Sequence, residues 1–160
     1  MKYVVYITIA LFLFACNSNV VFSEYKSIPE EKGWEKNNKI TLETNLQDTE
    51  SRHDVYINVR NADAYMFRNL FLYLHTQYPD GSVKTDTLEC LLADEKGNWL
   101  GNGAGDLWDN TILFKKNTKF PQKGKYIFTF EQAMRYGDSA AIDPLPFIMD
   151  IGLTIEKSKQ

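Results

Sequence analysis

The sequence predicts an all-β fold with a single antiparallel β-sandwich domain. Three observations support this prediction: apolar and polar residues alternate through most of the chain after Lys39, turn-forming residues separate the alternating segments, and no segment keeps a helical period. Alternation does not determine strand order, so immunoglobulin-like and jelly-roll arrangements are both compatible with the pattern.

The alternating segments are typical of strands that bury one face. Successive side chains of a strand point to opposite faces, so each segment presents an apolar row to the core and a polar row to solvent. The predicted strands are 40–46, 55–60, 70–75, 88–92, 126–131 and 147–156. Between two of them, Pro79-Asp80-Gly81 predicts a hairpin turn, and further turns are predicted at 96–98 and 122–124.

The composition is that of one globular domain. The chain has 160 residues, of which 44% are apolar and 24% are charged, and its formal net charge is -3. These values exclude a long coiled coil, a disordered chain and a protein with several membrane spans. The acidic balance also argues against a nucleic-acid partner, which would require a basic face.

The first fifteen residues are predicted to be a signal peptide that does not belong to the fold. Lys2 supplies the positive charge, and residues 4–14 form an apolar run of eleven residues. This run is shorter than the roughly 20 residues that a membrane-spanning helix needs. The predicted division is a signal peptide at 1–15, a lipidated N-terminus and tether at 16–38, and the β-sandwich domain at 39–160.

Cys16 is the predicted lipidation site. The segment Leu13-Phe14-Ala15-Cys16 resembles a bacterial lipobox, although Phe14 is bulkier than the usual residue at its position. A diacylglyceryl group would alkylate the thiol, and Cys16 would then become the new N-terminus and receive a further acyl chain such as palmitate. Each buried CH₂ contributes about 0.8 kcal/mol, so several chains anchor a protein stably. The alternative is a plain signal peptide that leaves Cys16 as a structural thiol.

The second cysteine, Cys90, is predicted to be a small buried hydrophobic residue. It alternates with Leu88 and Leu92 on one face of a predicted strand. If Cys16 carries lipid, Cys90 has no partner for a disulfide within the chain.

A candidate ligand site lies in and after the glycine-rich segment 94–106, and its residues are Trp99, Asp106, Trp108 and Asp109. Exposed indole rings can stack on sugars, and carboxylates supply the oxygen ligands that Ca²⁺ prefers. Lys96 stands where an EF-hand needs an oxygen ligand, so no metal site is predicted, and no cofactor is predicted beyond the covalent lipid on Cys16. The alternative is a long loop whose aromatic residues cover one end of the core.

No catalytic site is predicted. His53 and His75 do not stand at a metal-binding spacing, and the chain has no Gly-x-Ser-x-Gly motif. Adjacent carboxylates such as Asp94 and Glu95 would point to opposite faces of a strand, so their adjacency does not make an acid–base pair. The sequence therefore predicts a protein that is not an enzyme.

An ordered set of motifs along nearly the whole chain resembles one known family. After the lipobox these motifs are Val21-Phe22-Ser23-Glu24-Tyr25, Gly33-Trp34, Ile57-Asn58-Val59-Arg60-Asn61, Tyr78-Pro79-Asp80-Gly81, Gly97-x-Trp99-Leu100-Gly101, Glu131-Gln132-Ala133-Met134-Arg135 and Asp150-Ile151-Gly152-Leu153. In this order they resemble the gliding motility lipoprotein family GldH of Bacteroidota. The resemblance implies an accessory protein, without an assigned catalytic site, that works with other Gld lipoproteins or envelope proteins and with the motility and type IX secretion machinery.

The same resemblance implies a lipid-anchored protein of the cell envelope, in contact with the membrane through Cys16. Surface-exposed lipoproteins of this phylum often carry acidic residues directly after the lipidated cysteine, whereas the first acidic residue here is Glu24. This difference favours an outer-membrane location facing the periplasm.

Overall fold

Eleven β-strands and their connections make up the part of the chain that the computed structural model describes, which is residues 19–137 and 140–159. The signal peptide and the predicted lipidation site Cys16 lie outside the described residues. Among the described residues, no helix is long and apolar enough to cross a membrane. The strands are β1 (Val20–Ser27), β2 (Ile40–Leu46), β3 (His53–Ala62), β4 (Asn69–Gln77), β5 (Val83–Leu91), β6 (Asn102–Ala104), β7 (Leu107–Thr118), β8 (Gly124–Gln132), β9 (Arg135–Tyr136), β10 (Ala140–Ala141) and β11 (Ile148–Lys157).

The long strands form two antiparallel sheets that pack as a sandwich. One sheet has the order β1-β11-β3-β7-β6, the other has the order β2-β8-β4-β5, and β9 and β10 form a separate short pair. Consecutive long strands alternate between the two sheets, except for β4 and β5, which form a hairpin. This order is that of a jelly roll. The predicted antiparallel β-sandwich is confirmed, and the structure has the second of the two arrangements that alternation left open.

The core between the sheets is built from the apolar rows that the alternation predicts. Fully buried apolar side chains of β4 and β11 are Leu70, Leu72, Leu74, Ile151, Leu153 and Ile155. Burying one side chain of this size stabilises a fold by about 1.5–3 kcal/mol. Because these two strands belong to different sheets, their rows hold the sheets together.

The predicted hairpin at Pro79-Asp80-Gly81 joins β4 to β5. Gly81 has a φ of +84°, a conformation that a residue with a Cβ rarely adopts. Its backbone N–H donates to the carbonyl of Tyr78 at 2.9 Å. The side chain of Asp80 closes the turn by accepting from the backbone N–H of Ser82 at 2.9 Å, as is usual for aspartate in such turns.

Two strands differ from the sequence-based expectations. Residues 20–27 form β1, which pairs with β11, although the sequence predicts a tether over 16–38. Only Phe22 of this strand packs against the core, so no clear alternation marks it. The longest strand, β7, is also absent from the predicted strands, because its pairing with β3 shifts register beside Val55 and Tyr56 and interrupts the alternation.

Candidate functional site

Trp99 and Trp108, two of the four predicted ligand-site residues, come together at one end of the sandwich. Their ring centroids are 6.3 Å apart and the ring planes are tilted by 32°. Both side chains are half-buried, so part of each ring faces solvent. The hairpin of β6 and β7 positions Trp108, and an antiparallel bridge between Ala93 and Trp99 positions the second ring.

A third residue, Asp63, connects the two tryptophans. The indole Nε1–H groups of Trp99 and Trp108 both donate to Asp63 Oδ1, at 2.8 and 3.2 Å. Asp63 follows β3, and its own backbone N–H donates to the carbonyl of Asp106 at 2.7 Å. The local sequence does not mark Asp63 as a site residue, because its two tryptophan partners lie 36 and 45 residues away.

A glycine allows Trp108 to take this position. A Cβ on Gly103 would lie 2.8 Å from Cζ3 of the Trp108 ring. The ring therefore lies directly over the backbone of β6, where a larger residue would displace it. This close approach explains why a glycine stands at position 103. It agrees with the alternative interpretation, in which the segment is a long loop whose aromatic residues cover one end of the core.

The two predicted carboxylates, Asp109 and Asp106, are not the residues that accept hydrogen bonds from the tryptophan rings. Asp109 follows Trp108 directly in β7, so its side chain points to the opposite face of the sheet. There it pairs with the guanidinium of Arg60, with Nε–Oδ1 at 2.6 Å and Nη2–Oδ2 at 3.1 Å. Arg60 also contacts Asp150 at 3.4 Å. The side chain of Asp106 is exposed, and only its backbone carbonyl contacts Asp63.

The acidic start of the glycine-rich segment folds as a turn. Asp94 accepts hydrogen bonds from the backbone N–H groups of Lys96 and Asn98 and from Asn98 Nδ2, at 2.8, 2.8 and 2.9 Å. These bonds, chiefly those from Asn98, hold the pKa of Asp94 below its ordinary value. Within 19–137 and 140–159, no group of three or more His, Cys, Asp or Glu side chains could hold a metal ion. The tryptophan pair stays a predicted ligand site.

Two free strand edges lie beside each other along one side of the sandwich. β5 is the last strand of its sheet, and β6 covers only residues 107–109 of β7. The ammonium of Lys115 in β7 contacts Asp86 in β5 at 3.3 Å, which bridges the two edges. Beside this bridge, both strands line a pocket of about 100 Å³ that is mostly apolar. We call this strip between β5 and β7 the seam.

Shifted pKa values also occur in other parts of the fold, at Cys90, His53 and Glu131 among others. Burial raises the pKa of the Cys90 thiol to about 12, so Cys90 is a buried hydrophobic residue, as predicted, and not a nucleophile. Burial lowers the pKa of His53, whose ring packs edge-on against Phe120 with centroids 5.5 Å apart. Hydrogen bonds from Lys39 and then His75 lower the pKa of Glu131.

Comparison with known proteins identifies the family to which the chain belongs. Residues 20–155 match the model of the GldH lipoprotein family. The chain belongs to the GldH lipoprotein family. The matched residues run from the first residue of β1 into β11, so the family match includes both sheets of the jelly roll.

The chain is similar to GldH proteins of two organisms. A gliding motility lipoprotein GldH homolog of Christiangramia forsetii is 40% identical over 152 residues, which cover 94% of this chain and 91% of that protein. The gliding motility lipoprotein GldH of Flavobacterium johnsoniae is 35% identical over 149 residues, covering 92% and 91%. No solved structure matches significantly. The GldH resemblance that the sequence motifs indicate is therefore confirmed.

Proposed function

We propose that this GldH protein is a non-enzymatic accessory component of the gliding motility and type IX secretion machinery of the cell envelope. One observation carries the proposal: relatives named gliding motility lipoproteins align with more than nine-tenths of this chain. The two free edges at the seam supply backbone donors and acceptors that suit pairing with an extended segment of another protein. By pairing in this way, the domain holds a partner protein at the membrane.

We also infer how the protein is attached to the membrane and on which side it lies. Cys16 carries the diacylglyceryl group and an acyl chain, and the domain lies at the outer membrane facing the periplasm. The lipobox residues and the absence of an acidic residue between Cys16 and Glu24 support this location.

Replacing Cys16 by serine is expected to abolish lipid attachment. In cells fed an alkyne-bearing palmitate analogue, the wild-type protein should incorporate label and sediment with membranes, whereas Cys16→Ser should incorporate none. The reason is that a serine hydroxyl cannot take the place of the cysteine thiolate, which is the group that the diacylglyceryl group alkylates. Cys90→Ser is the matched control and should label like the wild type, since Cys90 is buried within the fold. Equal labelling of Cys16→Ser and wild type would contradict the assignment.

A photo-crosslinking amino acid at Leu113 tests the partner. Leu113 lies on the free edge of β7 and is 48% exposed, whereas Met66, the control position, is 76% exposed in the connection between β3 and β4. In intact cells, the probe at Leu113 is expected to capture another Gld lipoprotein or a secretion component, and the probe at Met66 is expected to capture none. If the chain is recovered alone from both positions, or if deleting the gene leaves gliding and type IX export unchanged, the machinery role is wrong.

A further inference from the structure

The end of the sandwich from which the N-terminus departs is built by chain segments that are far apart in sequence. The backbone N–H of Lys157 donates to the carbonyl of Asn19 at 2.8 Å, and that of Ser158 donates to the carbonyl of Arg52 at 2.9 Å. Arg52 Nη1 donates to the carbonyl of Asn117 at 2.9 Å. The start of β1, the connection before β3, the end of β7 and the end of β11 therefore meet here. We call this the anchor end.

A broad, positively charged depression covers the anchor end. Its volume is about 870 Å³, and its charged lining consists of Arg52, Lys119, Lys157 and Lys159 against the single carboxylate of Glu50. This surplus of cations contrasts with the formal charge of -3 for the whole chain. The depression is therefore lined mainly by positive charges, although the net charge of the chain is negative.

Internal hydrogen bonds occupy two further carboxylates near this end. Asp48 accepts from the backbone N–H and the hydroxyl of Ser51, at 2.9 and 2.5 Å. Asp54 accepts from the backbone N–H of Asn117 at 2.8 Å and from the hydroxyl of Ser158 at 2.6 Å. These bonds hold both carboxylates in fixed positions beside the depression.

Three of the four lining cations, in contrast, remain available to an external anion, whereas Lys157 pairs with Asp48 at 3.3 Å. Lys119 contacts Glu50 at 3.5 Å, but the Glu50 side chain is 89% exposed, and such surface pairs contribute little. No ion pair within 19–137 and 140–159 includes Arg52 or Lys159. Both side chains are exposed at the rim of the depression.

The short chain between Cys16 and β1 limits the distance between the anchor end and the bilayer. Only three residue steps separate Cys16 from Asn19, and three fully extended residues span at most about 11 Å. A lipid on Cys16 therefore keeps the anchor end within about 11 Å of the bilayer. At physiological salt the Debye length is about 8 Å, so the cations act on the bilayer once the short tether brings them closer than this limit.

We propose that the depression at the anchor end docks on phosphate-bearing anionic lipid headgroups. Docking orients the sandwich so that the tryptophan pair at the opposite end points away from the membrane. The inference rests on the proposed lipidation of Cys16, which holds the anchor end close to the bilayer. The cations then orient the sandwich on the membrane. Each Lys or Arg near an anionic surface strengthens binding by about fivefold, so the effect of several cations is measurable.

Site-specific fluorescence quenching in vesicles tests the proposal. The lipidated protein carries a fluorophore either at Gln47→Cys, at the anchor end, or at Met66→Cys, at the opposite end; Cys90 is buried and does not compete for the label. Vesicles contain a headgroup-quencher lipid in phosphatidylcholine, alone or mixed equally with phosphatidylglycerol. Quenching at position 47 should increase several-fold in the mixed vesicles and return to the phosphatidylcholine level in about 1 M salt, where the Debye length is about 3 Å. Quenching at position 66 should not change.

Two charge-matched variants identify the surface. Arg52→Gln/Lys119→Gln/Lys159→Gln should weaken docking by about a hundredfold, from three cations at about fivefold each. Lys32→Gln/Lys96→Gln/Arg135→Gln removes the same charge from exposed positions elsewhere and should dock like the wild type. The proposal is overturned if the two variants behave alike, or if position 47 responds equally to both lipid compositions.

Two further arms separate this proposal from its alternatives. Inorganic phosphate at constant ionic strength should leave docking unchanged, and displacement by it would assign the depression to a free anion instead. Flotation with pure phosphatidylcholine vesicles reports the covalent lipid alone. A protein that fails to float contradicts lipidation of Cys16, whereas a protein that floats without lipid-dependent quenching contradicts only the docking.

Discussion

Replacing Trp34 by alanine is expected to lower the free energy of unfolding by about 3–5 kcal/mol, the usual cost of removing a large aromatic side chain from a core. Trp34 is fully buried, and its indole N–H donates to the carbonyl of Asn38 at 2.8 Å. Its backbone exchanges two hydrogen bonds with Leu145, at 2.7 and 2.9 Å. The backbone of Trp34 thus fastens the segment between β1 and β2 to the segment that precedes β11, while its side chain fills the core between them.

Urea unfolding of the mature chain measures this effect, provided that the slope with denaturant stays constant between variants. Trp34→Phe is the matched control, because it keeps an aromatic ring in the core but cannot donate to Asn38. We expect Trp34→Phe to cost about 1–2 kcal/mol, from one lost hydrogen bond and a small loss of packing. A cost for Trp34→Ala no larger than that for Trp34→Phe would show that the indole does not fill the core.

Replacing Gly152 by alanine is expected to destabilise the protein, although the same change in an uncrowded strand stabilises it. Alanine normally gains about 0.5–1 kcal/mol over glycine within a strand, because it loses less backbone entropy on folding. At this position, however, a Cβ would lie 2.6 Å from Cδ1 of Tyr25 and 2.8 Å from the carbonyl oxygen of Glu24. Overpacking costs about 1–3 kcal/mol, so the clash outweighs the entropic gain.

A double-mutant cycle with Tyr25→Ala separates the two contacts. Removing the tyrosine ring relieves the side-chain contact but leaves the backbone carbonyl of Glu24 in place. Gly152→Ala should therefore cost less in the Tyr25→Ala background than in the wild type, but should still not stabilise the protein. An identical cost in both backgrounds would mean that the ring moves aside freely, and a stabilising Gly152→Ala would mean that β1 does not lie this close to β11.

The sequence was informative wherever one face of a strand is buried. The alternating rows of β4 and β11 lie in the core as predicted, because burial forces a period of two on the side chains. Turn chemistry was equally informative at Gly81, whose φ of +84° explains why a glycine stands there. These local rules predicted a β-sandwich, but strand order is set by contacts between distant segments, so the jelly-roll topology required the structure.

Strand β1 and the tryptophan site are features that the local sequence does not reveal. β1 exposes most of its side chains, so its hydrogen bonds to β11 hold it in the sheet without leaving an apolar row in the sequence. Asp63 joins the two tryptophans only because the connection after β3 folds toward the β6–β7 hairpin. Asp109 was predicted with the tryptophans from proximity in sequence, but the two faces of a strand separate it from Trp108, and its partner is Arg60.

The pairing of β1 with β11 has a mechanical consequence for a protein held by its N-terminus. β1 starts at the anchor end, and it pairs with β11 from Val20 opposite Glu156 to Ser27 opposite Asp150, with one register shift between Val20 and Phe22. A pull between the membrane and the opposite end of the domain acts along the axis of β1. It therefore loads the hydrogen bonds of the pair together in shear instead of opening them one after another. Since β11 is itself paired along β3, the load passes from the anchor directly into the middle of the sheet.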